Sequence, residues 1–474
     1  MSSQSVHAAN RISMECKLFV WSIVLEPLLF FVMSSGLYTG INITLARVLQ
    51  ILFLIVFICK FAKAKHGFLL PNLTNKYYLF FTAYFCLLII SSFVGAVFYG
   101  SYILKNIQGY DHVFRFFLEF IILLYYFFYF VIIPKYVLTS KLKIFYLLKC
   151  IERAFYFCLI LGFLDLFFAY FGSGFIPRHL VDTPSWVSVG VRFHGIAGEP
   201  RDAFPYLIFG LLIIQIKATL LDQKTPWILL PMVVLALLST QSGSGVVGIA
   251  LGAVIFALFN FNLTRFSAGK LKAIFAIILT LVLVAYSVSQ TDRLREYYFA
   301  FLDINDLLSS GAELPYLVVV QSNNIFPLWV TLQNLLNFNL LPVLFGSGMG
   351  SSAIVNSNLG DFGGAIANSH AQITRTIFES GFVGLWLYIL FFYTPFKILL
   401  KHLPKVNRQF FYIVFFMLLG TSLGHRSTTI FVFTGIVISI CQIWFQQAPL
   451  SPRDLRRDQA TQNTGRHRSS DAPN

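Results

Sequence analysis

The sequence predicts an all-α, polytopic membrane protein with about 12 transmembrane helices and one very long loop between the ninth and the tenth. Hydrophobic residues make up 57% of the 474 residues, and aromatic residues make up 17%. Charged residues account for only 12%, about half of the roughly 25% that is usual in soluble domains. Apolar runs of about 18 residues or more recur along the chain, as repeated crossings of a bilayer require. A water-soluble globular fold is therefore not expected.

Twelve apolar runs have the length and composition of candidate helices. The stretch 290–380 between the ninth and tenth runs is too long for a mere connection and is expected to be functional. Its uncharged part, Leu314 to Phe345, predicts interfacial or re-entrant helices, since one more crossing would invert the charge pattern of every later loop. A second long loop on the same side covers 172–202. The predicted helices lie near 18–35, 42–59, 77–99, 113–134, 144–171, 203–216, 226–240, 245–262, 272–289, 381–396, 409–423 and 428–445.

Short loops on one side of these helices are rich in lysine. By the positive-inside rule such loops face the cytoplasm, which places both termini there as well. The net charge of +15 is then a topology signal, and nucleic-acid binding is not expected. Residues 1–446 are predicted to form a single membrane domain, and the polar tail 447–474 is predicted to be disordered in the cytoplasm. The basic residues of these loops are Lys60, Lys63, Lys65 and Lys76; Lys135, Lys141 and Lys143; Lys217 and Lys224; Arg265, Lys270 and Lys272; and Lys397, Lys401, Lys405 and Arg408.

Loops on the opposite side carry arginine in place of lysine. Topology signalling does not need arginine, whereas the planar guanidinium group binds phosphate or carboxylate through two parallel hydrogen bonds. The switch therefore predicts an anionic ligand on the outer face. Arg426, in the last short outer loop, is expected to contact either a ligand phosphate or lipid headgroups. The basic residues of the outer loops are Lys105, Arg178, Arg192, Arg201, Arg293, Arg295, Arg375 and Arg426.

The loop that precedes the sixth predicted helix ends in a dense set of polar side chains. Arg192, His194, Glu199, Arg201 and Asp202 fall within eleven residues. In an extended backbone Arg192 and His194 share a face, while Glu199 and Asp202 suit the positively polarised start of a helix. Two interpretations stay open: the set binds a ligand, or its carboxylates only help the next helix to begin.

A second outer cluster precedes the tenth predicted helix. Asn368 or Ser369 can cap a helix there that leads into the tenth predicted helix, which places His370 in the first turn near the outer membrane surface. On that helix Arg375 and Glu379 are four residues apart and are expected to pair on one face. His370 and Arg375 are candidates for catalysis or ligand binding, and the alternative is that Arg375 and Glu379 form a structural ion pair only.

Charged residues also occur inside the apolar runs, where they are expected to be paired or functional. Arg115 and Glu119 are four residues apart in the fourth predicted helix and are expected to pair. Glu26, Arg47 and Asp165 have no obvious partner in the sequence, so they are expected to face the interior of the helix bundle.

Two short segments resemble the O-antigen polymerase (Wzy-type) and O-antigen ligase superfamily. One runs from Phe345-Gly-Ser-Gly-Met-Gly350 through His370 to Glu379-Ser-Gly-Phe-Val-Gly384. It is similar to the family's Phe-Gly-x-Gly turn, its downstream Asn/Ser-His and its Glu-x-Gly-hydrophobic-x-Gly helix start. The other is the arginine-rich loop with Gly198-Glu199-Pro200, which resembles a loop of capsule and exopolysaccharide polymerases. The plan of about twelve helices with a long loop before the last three is similar too.

The resemblance implies a metal-independent and cofactor-free membrane glycosyltransferase that polymerises undecaprenyl-diphosphate-linked oligosaccharide repeat units into O-antigen, capsule or exopolysaccharide. The outer loops are then periplasmic, and the membrane is the bacterial inner membrane. The implied partners are the lipid-linked oligosaccharide and membrane lipid. A chain-length regulator and a flippase are further candidate partners. The implied roles are a diphosphate clamp for Arg192, Arg201 and Arg375, a catalytic base for His370 or Glu199, an acceptor contact for His194, and phosphate or headgroup binding for Arg426.

Two alternatives stay open. O-antigen ligase performs the same donor chemistry with lipid A-core as the acceptor, and the sequence does not separate the two acceptors. A transporter or flippase for the lipid-linked unit would show inverted repeats and charged residues near the membrane midplane. The sequence shows no internal repeat, and its polar residues concentrate in the outer loops, so a polymerase is the preferred hypothesis.

Overall fold

The computed structural model describes residues 12–26, 33–34, 42–63, 73–103, 112–172, 192–197, 200–260, 327–352, 371–425 and 427–445. Within these ranges the protein is almost entirely helical, as the sequence predicts. The exception is a short antiparallel ladder that pairs Met33–Ser34 with Asn42–Ile43. The predicted helix at 272–289 and the tail 447–474 lie outside the described residues.

The described helices are numbered in chain order. They are α1 (Met14–Leu25), α2 (Leu45–Lys63), α3 (Leu79–Ile103), α4 (His112–Tyr126), α5 (Ile133–Val137), α6 (Lys141–Tyr170), α7 (Pro200–Leu220), α8 (Leu229–Thr240), α9 (Gly243–Asn260), α10 (327–336), α11 (Leu340–Phe345), α12 (Gln372–His402), α13 (Arg408–Gly424) and α14 (Thr429–Ser439). The π-helical segment Phe127–Ile132 joins α4 to α5, Ile440–Trp444 extends α14, and the 3-10 turns Gly195–Ala197 and Lys405–Asn407 precede α7 and α13.

Four of the described segments are long and apolar enough to cross a membrane. On α3, one of these, Phe93 and Val97 are 72% and 79% exposed, which suits contact with lipid far better than contact with water. The protein is therefore a helical membrane protein. The four long segments are Leu79–Phe98, Phe116–Val137, Arg201–Leu220 and Gln372–His402, and shorter apolar helices lie at Leu229–Thr240, Gly243–Ala257, Arg408–Gly424 and Thr429–Trp444.

The first predicted helix, 18–35, is wrong at its carboxyl end. The helix α1 ends at Leu25, and Met33–Ser34 already belong to the antiparallel ladder. The physical reason is Glu26, whose buried carboxylate accepts hydrogen bonds from Arg47 Nη2 at 3.0 Å and from Gln50 Nε2 at 2.5 Å. The described helix thus ends next to the residue whose carboxylate is bound by α2. These contacts supply the partners that the sequence did not reveal for Glu26 and Arg47.

The Glu26–Arg47 pair lies about three helical turns from a second ion pair between the same two helices. At the other end of the same two helices, Lys60 pairs with Glu15 at 2.6 Å. A helix rises about 1.5 Å per residue, so the eleven steps from Glu15 to Glu26 separate the two ion pairs by about 16 Å. The hydrocarbon core is about 30 Å thick, which places Glu26 near the middle of the bilayer if Lys60 lies at the cytoplasmic surface.

The described end of the second long loop is helical. The helices α10 and α11 contain ten and six described residues, fewer than the about 20 that a crossing needs. The interfacial or re-entrant arrangement of Leu314 to Phe345 stays a prediction.

The helix expected to lead into the tenth apolar run, 381–396, is confirmed, because α12 runs from Gln372 to His402. The expected start is wrong by a few residues: Ala371 is the N-cap, so His370 precedes the helix and does not lie in its first turn. Its first turns contain charged residues, which a hydropathy criterion excludes although tertiary contacts bury them.

Close packing of α9 against α13 depends on small residues. A Cβ atom on Gly420 would lie 3.0 Å from the Cα atom of Gly248, and one on Gly424 would lie 3.0 Å from the Cα atom of Ser244. Small residues allow helix backbones to approach closely inside a membrane. This contact holds the carboxyl end of α13, including His425, beside the start of α9.

Candidate functional site

The two halves of the glycine-rich motif meet in space. We call Gly346–Gly350 the glycine turn. The backbone N–H groups of Ser347 and Gly348 donate to the carbonyl oxygens of Phe378 and Glu379 on α12, at 2.8 and 2.9 Å. In a straight helix these carbonyls would accept from residues 382 and 383, which lie beyond a kink at Gly381. The glycine turn therefore supplies hydrogen bonds at the point where α12 changes direction.

Glycine is required on both sides of this contact. Gly381 has φ 69° and ψ −176° inside α12, a conformation that is almost restricted to glycine. A Cβ atom there would clash with the backbone of Leu344 and Phe345. Gly346 has φ 80°, and a Cβ atom there would clash with the backbone of Glu379 and Ser380. Each segment thus occupies the space that a side chain on the other would need.

The helix α3 packs against the other side of the glycine turn. Ser91 Oγ donates to the carbonyl oxygens of Leu87 and Phe345. Gly95 leaves room for the carbonyl group of Ser347, and Gly348 faces the backbone of Ser92. The turn is thereby fixed between two membrane helices, which makes it a rigid support for the residues that follow and precede it.

A buried ion-pair network lies beside the glycine turn. Arg375 donates from Nε to Glu379 Oε1 at 3.0 Å and from Nη2 to Glu119 Oε1 of α4 at 3.1 Å. Ser352 Oγ donates to the same oxygen of Glu379 at 2.7 Å. Glu119 and Glu379 are only 8% and 5% exposed. Among the described side chains, two carboxylates thus contact one guanidinium group.

The contacts of Arg375 bear on its two interpretations, ligand binding or a structural ion pair. The predicted pair with Glu379 is confirmed, and the second carboxylate makes Arg375 part of a structural ion-pair network. A guanidinium group with two carboxylates attracts a diphosphate poorly, because most of its charge is already neutralised. Glu119 also pairs with Arg375. The expected Arg115–Glu119 pair stays a prediction, because the side chain of Arg115 lies outside the described part.

A second polar group lies where the first outer loop joins α7. His194 is 1% exposed and Asp165 of α6 is 3% exposed, and His194 Nε2 lies 3.2 Å from Asp165 Oδ2. The Nδ1 atom of the same ring lies 3.0 Å from the carbonyl oxygen of Gly195. A carbonyl oxygen only accepts, so Nδ1 carries a hydrogen atom by assignment from its partner. Asp165 thus has the partner that sequence reasoning could not find.

The geometry of His194 favours positioning over direct ligand contact. Both ring nitrogens are engaged with protein groups, and the neighbouring Phe193 is also buried, at 1% exposure. The backbone N–H of Phe193 donates to the carbonyl oxygen of Ser239 at 2.9 Å. The segment is consequently fixed to both α6 and the end of α8. Arg192, at 9% exposure, is carried on this fixed segment.

Replacement of Asp165 by alanine is expected to lower the free energy of unfolding by about 3–5 kcal/mol, because it breaks a buried histidine–carboxylate pair. The measurement is the thermal unfolding midpoint of the purified protein in detergent. The matched control is Glu152→Ala on the same helix, which removes a carboxylate paired with Lys217 but 21% exposed. The control is expected to cost less than about 1 kcal/mol. Equal shifts for the two variants would contradict the assigned role of Asp165.

The first turn of α7 brings further charged groups to the same region. The helix begins at Pro200, a residue favoured at the first helical position, and Asp202 lies in its first turn, as the sequence predicts. Asp202 Oδ1 lies 3.6 Å from His425 Nε2 at the end of α13. Arg201 occupies the same turn. Among the described residues, the loop segment 192–197, α7, α9 and α13 therefore form one polar corner.

Several predicted site residues cannot be placed. His370, Glu199 and Arg426 lie outside the described residues, so their predicted roles remain predictions. In the chain they directly border described elements: Glu199 precedes α7, His370 is two positions before α12, and Arg426 follows His425. The described candidates divide into two groups, with Arg192, His194 and Arg201 at the polar corner and Arg375 in the ion-pair network.

Sequence reasoning missed four residues of these networks. Asp165, Glu119, Ser352 and His425 contact candidate residues that are far from them in the chain. Asp165 and Glu119 carried a usable signal, since a carboxylate inside an apolar run needs a partner. Ser352 carried none, because serine is common in turns.

The fold and the two polar groups define a helical membrane protein whose charged networks are set into its helix bundle. Comparison with known proteins adds no narrower identity: no family model matches the chain, and no curated protein or solved structure matches it either.

Proposed function

We propose that the protein is a metal-independent glycosyltransferase of the bacterial inner membrane. It polymerises undecaprenyl-diphosphate-linked oligosaccharide repeat units into O-antigen, capsule or exopolysaccharide at the periplasmic face. About twelve helices cross the membrane, both termini are cytoplasmic, and the loops 172–202 and 290–380 are periplasmic. One observation carries the proposal: the two motif segments that resemble the polymerase and ligase superfamily dock on each other through Gly346 and Gly381.

This docking supports the resemblance because the motif is more than a pair of flexible turns. Phe345–Gly350 and Glu379–Gly384 are separated by almost thirty residues in the chain, yet their glycines are mutually required by the packing. The segment between them carries His370. A loop whose two ends are fixed to one support can hold a catalytic group in place more precisely than a free loop.

The proposed reaction forms one glycosidic bond and breaks one glycosyl–phosphate bond. A hydroxyl oxygen of the acceptor repeat unit attacks the anomeric carbon of the donor glycan. The bond from that carbon to the diphosphate oxygen breaks, and the electron pair leaves with the lipid diphosphate. The hydroxyl proton passes to His370 or Glu199 as the general base. Fixed arginines stabilise the charge that develops on the leaving diphosphate.

The structure changes how these roles are distributed among the arginines. Arg192 and Arg201 of the polar corner, with Arg426 next to His425, are the proposed diphosphate-binding residues. Arg375 is proposed as a positioning residue, since Glu119 and Glu379 engage its guanidinium group. His194 is likewise proposed to position Arg192 through its contact with Asp165.

A transporter for the same lipid-linked unit is the second candidate, and one observation favours it. The buried carboxylate of Glu26 pairs with Arg47 where the end of α1 meets the start of α2. In the predicted topology this pair would lie near the middle of the membrane, where transporters place substrate or ion sites. Deletion of the gene, described next, separates the two candidates, because a transporter acts before any repeat unit reaches the periplasm.

The test is deletion of the gene in its host, followed by gel analysis of surface polysaccharide and complementation. Loss of the long-chain ladder with single repeat units still attached to the cell surface is expected. Arg192→Ala, Arg201→Ala, His370→Ala and Glu199→Ala are each expected to reduce polymer by about 100-fold or more, as losses of a charge-stabilising or proton-accepting group do. Arg153→Ala, an exposed arginine on α6, is the matched control and should restore the ladder.

Other phenotypes would point elsewhere. Polymer that accumulates on its carrier without attachment to lipid A-core would identify a ligase. Absence of every repeat unit from the surface would favour a transporter. An unchanged ladder would contradict polysaccharide synthesis altogether. Expression of each variant is checked by immunoblot of the membrane fraction.

A further inference from the structure

A cleft of about 590 Å³ opens at the end of the bundle that carries the lysine-rich loops. Three segments line it: the turn before α3, the connection from α5 to α6, and the π-helical end of α14. The first contributes Asn75, Lys76 and Tyr77, the second contributes Lys135 and Thr139, and the third contributes Gln442. We call this feature the lysine cleft.

The charges at the lysine cleft are all positive. No carboxylate lines it, and among the described residues neither Lys76 nor Lys135 forms an ion pair. Lys143 donates from Nζ to Thr139 Oγ1 at 3.0 Å, which brings a third ammonium group to the rim. Other lysines on the same face differ, since Lys60 and Lys217 are paired with glutamates.

Topology signalling alone does not explain this arrangement. The positive-inside rule needs only that basic residues lie close to the cytoplasmic ends of helices, and the exposed Lys397 and Lys401 satisfy it without a cleft. Here two ammonium groups line one concave space, and a third, on Lys143, contacts the lining residue Thr139. The lining also holds neutral hydrogen-bonding groups and the apolar surfaces of Tyr77 and Ile443. Polar and apolar groups side by side suit a headgroup attached to a lipid.

We propose that the lysine cleft binds the phosphodiester headgroup of an anionic phospholipid in the cytoplasmic leaflet. Basic pockets between transmembrane helices on the cytoplasmic side are suited to such headgroups, since that leaflet carries a negative surface potential. The site does not depend on the proposed polymerase activity, because it lies on the face opposite the predicted periplasmic loops.

The test is native mass spectrometry of the full-length protein in detergent, titrated with phosphatidylglycerol or with phosphatidylcholine of the same acyl chains. Phosphatidylglycerol is expected to bind more tightly. Each lysine near a membrane surface contributes about 1 kcal/mol to attraction of anionic lipid, so Lys76→Gln/Lys135→Gln is expected to weaken binding about 30-fold. Lys397→Gln/Lys401→Gln removes the same charge from the same face and should leave binding nearly unchanged. Lys76→Arg/Lys135→Arg should retain it.

Three results would overturn the proposal. Equal binding of the two lipids would mean that the cleft does not recognise anionic headgroups. Equal losses of phosphatidylglycerol affinity in Lys76→Gln/Lys135→Gln and in Lys397→Gln/Lys401→Gln would mean that diffuse surface charge attracts the lipid. Displacement of phosphatidylglycerol by an equimolar amount of inorganic phosphate would identify a site for free phosphate. Thermal unfolding midpoints that match the wild type show that the variants are folded.

Discussion

Replacement of Gly381 by alanine is expected to lower the free energy of unfolding by about 2–6 kcal/mol and to abolish polymer formation. Two costs add: the backbone conformation at φ 69° and ψ −176° is strained for alanine by about 1–3 kcal/mol, and the added methyl group enters space occupied by Leu344 and Phe345, for a further cost of about 1–3 kcal/mol. The thermal unfolding midpoint in detergent measures the loss of stability, and complementation of the deletion strain measures the loss of polymer formation.

Gly243→Ala is the matched control for Gly381→Ala. No atom lies within 4 Å of the position that a Cβ on Gly243 would occupy, and Gly243 begins α9 without a positive φ. Alanine there is expected to be neutral or to stabilise by up to about 1 kcal/mol. Gly346→Ala should behave like Gly381→Ala, because it enters the same contact from the other side. A Gly381→Ala protein with an unchanged midpoint would refute the requirement for glycine at the kink.

Replacement of Arg375 by alanine is expected to cost about 3–5 kcal/mol of unfolding free energy, because Glu119 and Glu379 are left as two buried carboxylates without their shared cation. Arg375→Lys should lower the free energy of unfolding by less than Arg375→Ala does. It should still be less stable than the wild type, since an ammonium group cannot reproduce the planar geometry with which a guanidinium group binds two carboxylates. The measurements are again the unfolding midpoint and the polysaccharide ladder.

A charge-neutral network distinguishes electrostatic repulsion from simple loss of contact. The triple variant Arg375→Met/Glu119→Gln/Glu379→Gln removes all three charges, so it is expected to recover part of the stability lost in Arg375→Ala. Arg153→Ala, exposed on α6, is the matched single control and should stay within about 0.5 kcal/mol of the wild type. A triple variant no more stable than Arg375→Ala would mean that repulsion between the two carboxylates is not the cause.

Hydropathy predicted most of the described helices to within a few residues. The sixth predicted helix, 203–216, corresponds to Pro200–Leu220, and the fifth, 144–171, corresponds to Lys141–Tyr170. These elements follow from local composition, because a bilayer requires an apolar side-chain surface along each crossing. The main error occurs at Glu26, where α1 ends about ten residues before the predicted boundary of 18–35. Hydropathy alone also leaves out Gln372–Ser380, whose charged side chains are buried by partners from other helices although the capping and pairing pattern predicted a helix there.

Local sequence also predicted one contact of the candidate site but not the contacts between distant helices. The i, i+4 spacing alone predicted the pair of Arg375 with Glu379. It could not predict Glu119 as the second carboxylate, since Glu119 and Arg375 lie on different helices that only the fold brings together. These two contacts are the reason that Arg375 is proposed as a positioning residue and not as a ligand clamp.

The sequence by itself determined that this is a helical membrane protein, where most of its helices lie, and which polar residues are candidates for function. Only the tertiary structure decided how those residues are paired: Glu26 with Arg47, Asp165 with His194, Arg375 with two glutamates, and the glycine turn with the kink of α12. The physical reason is that burial of apolar side chains depends on local sequence, whereas pairing of buried charges depends on distant parts of the chain. Burial of apolar side chains in lipid is set residue by residue along the chain, whereas a buried charge is stable only beside a partner, and that partner can come from any helix that packs against it.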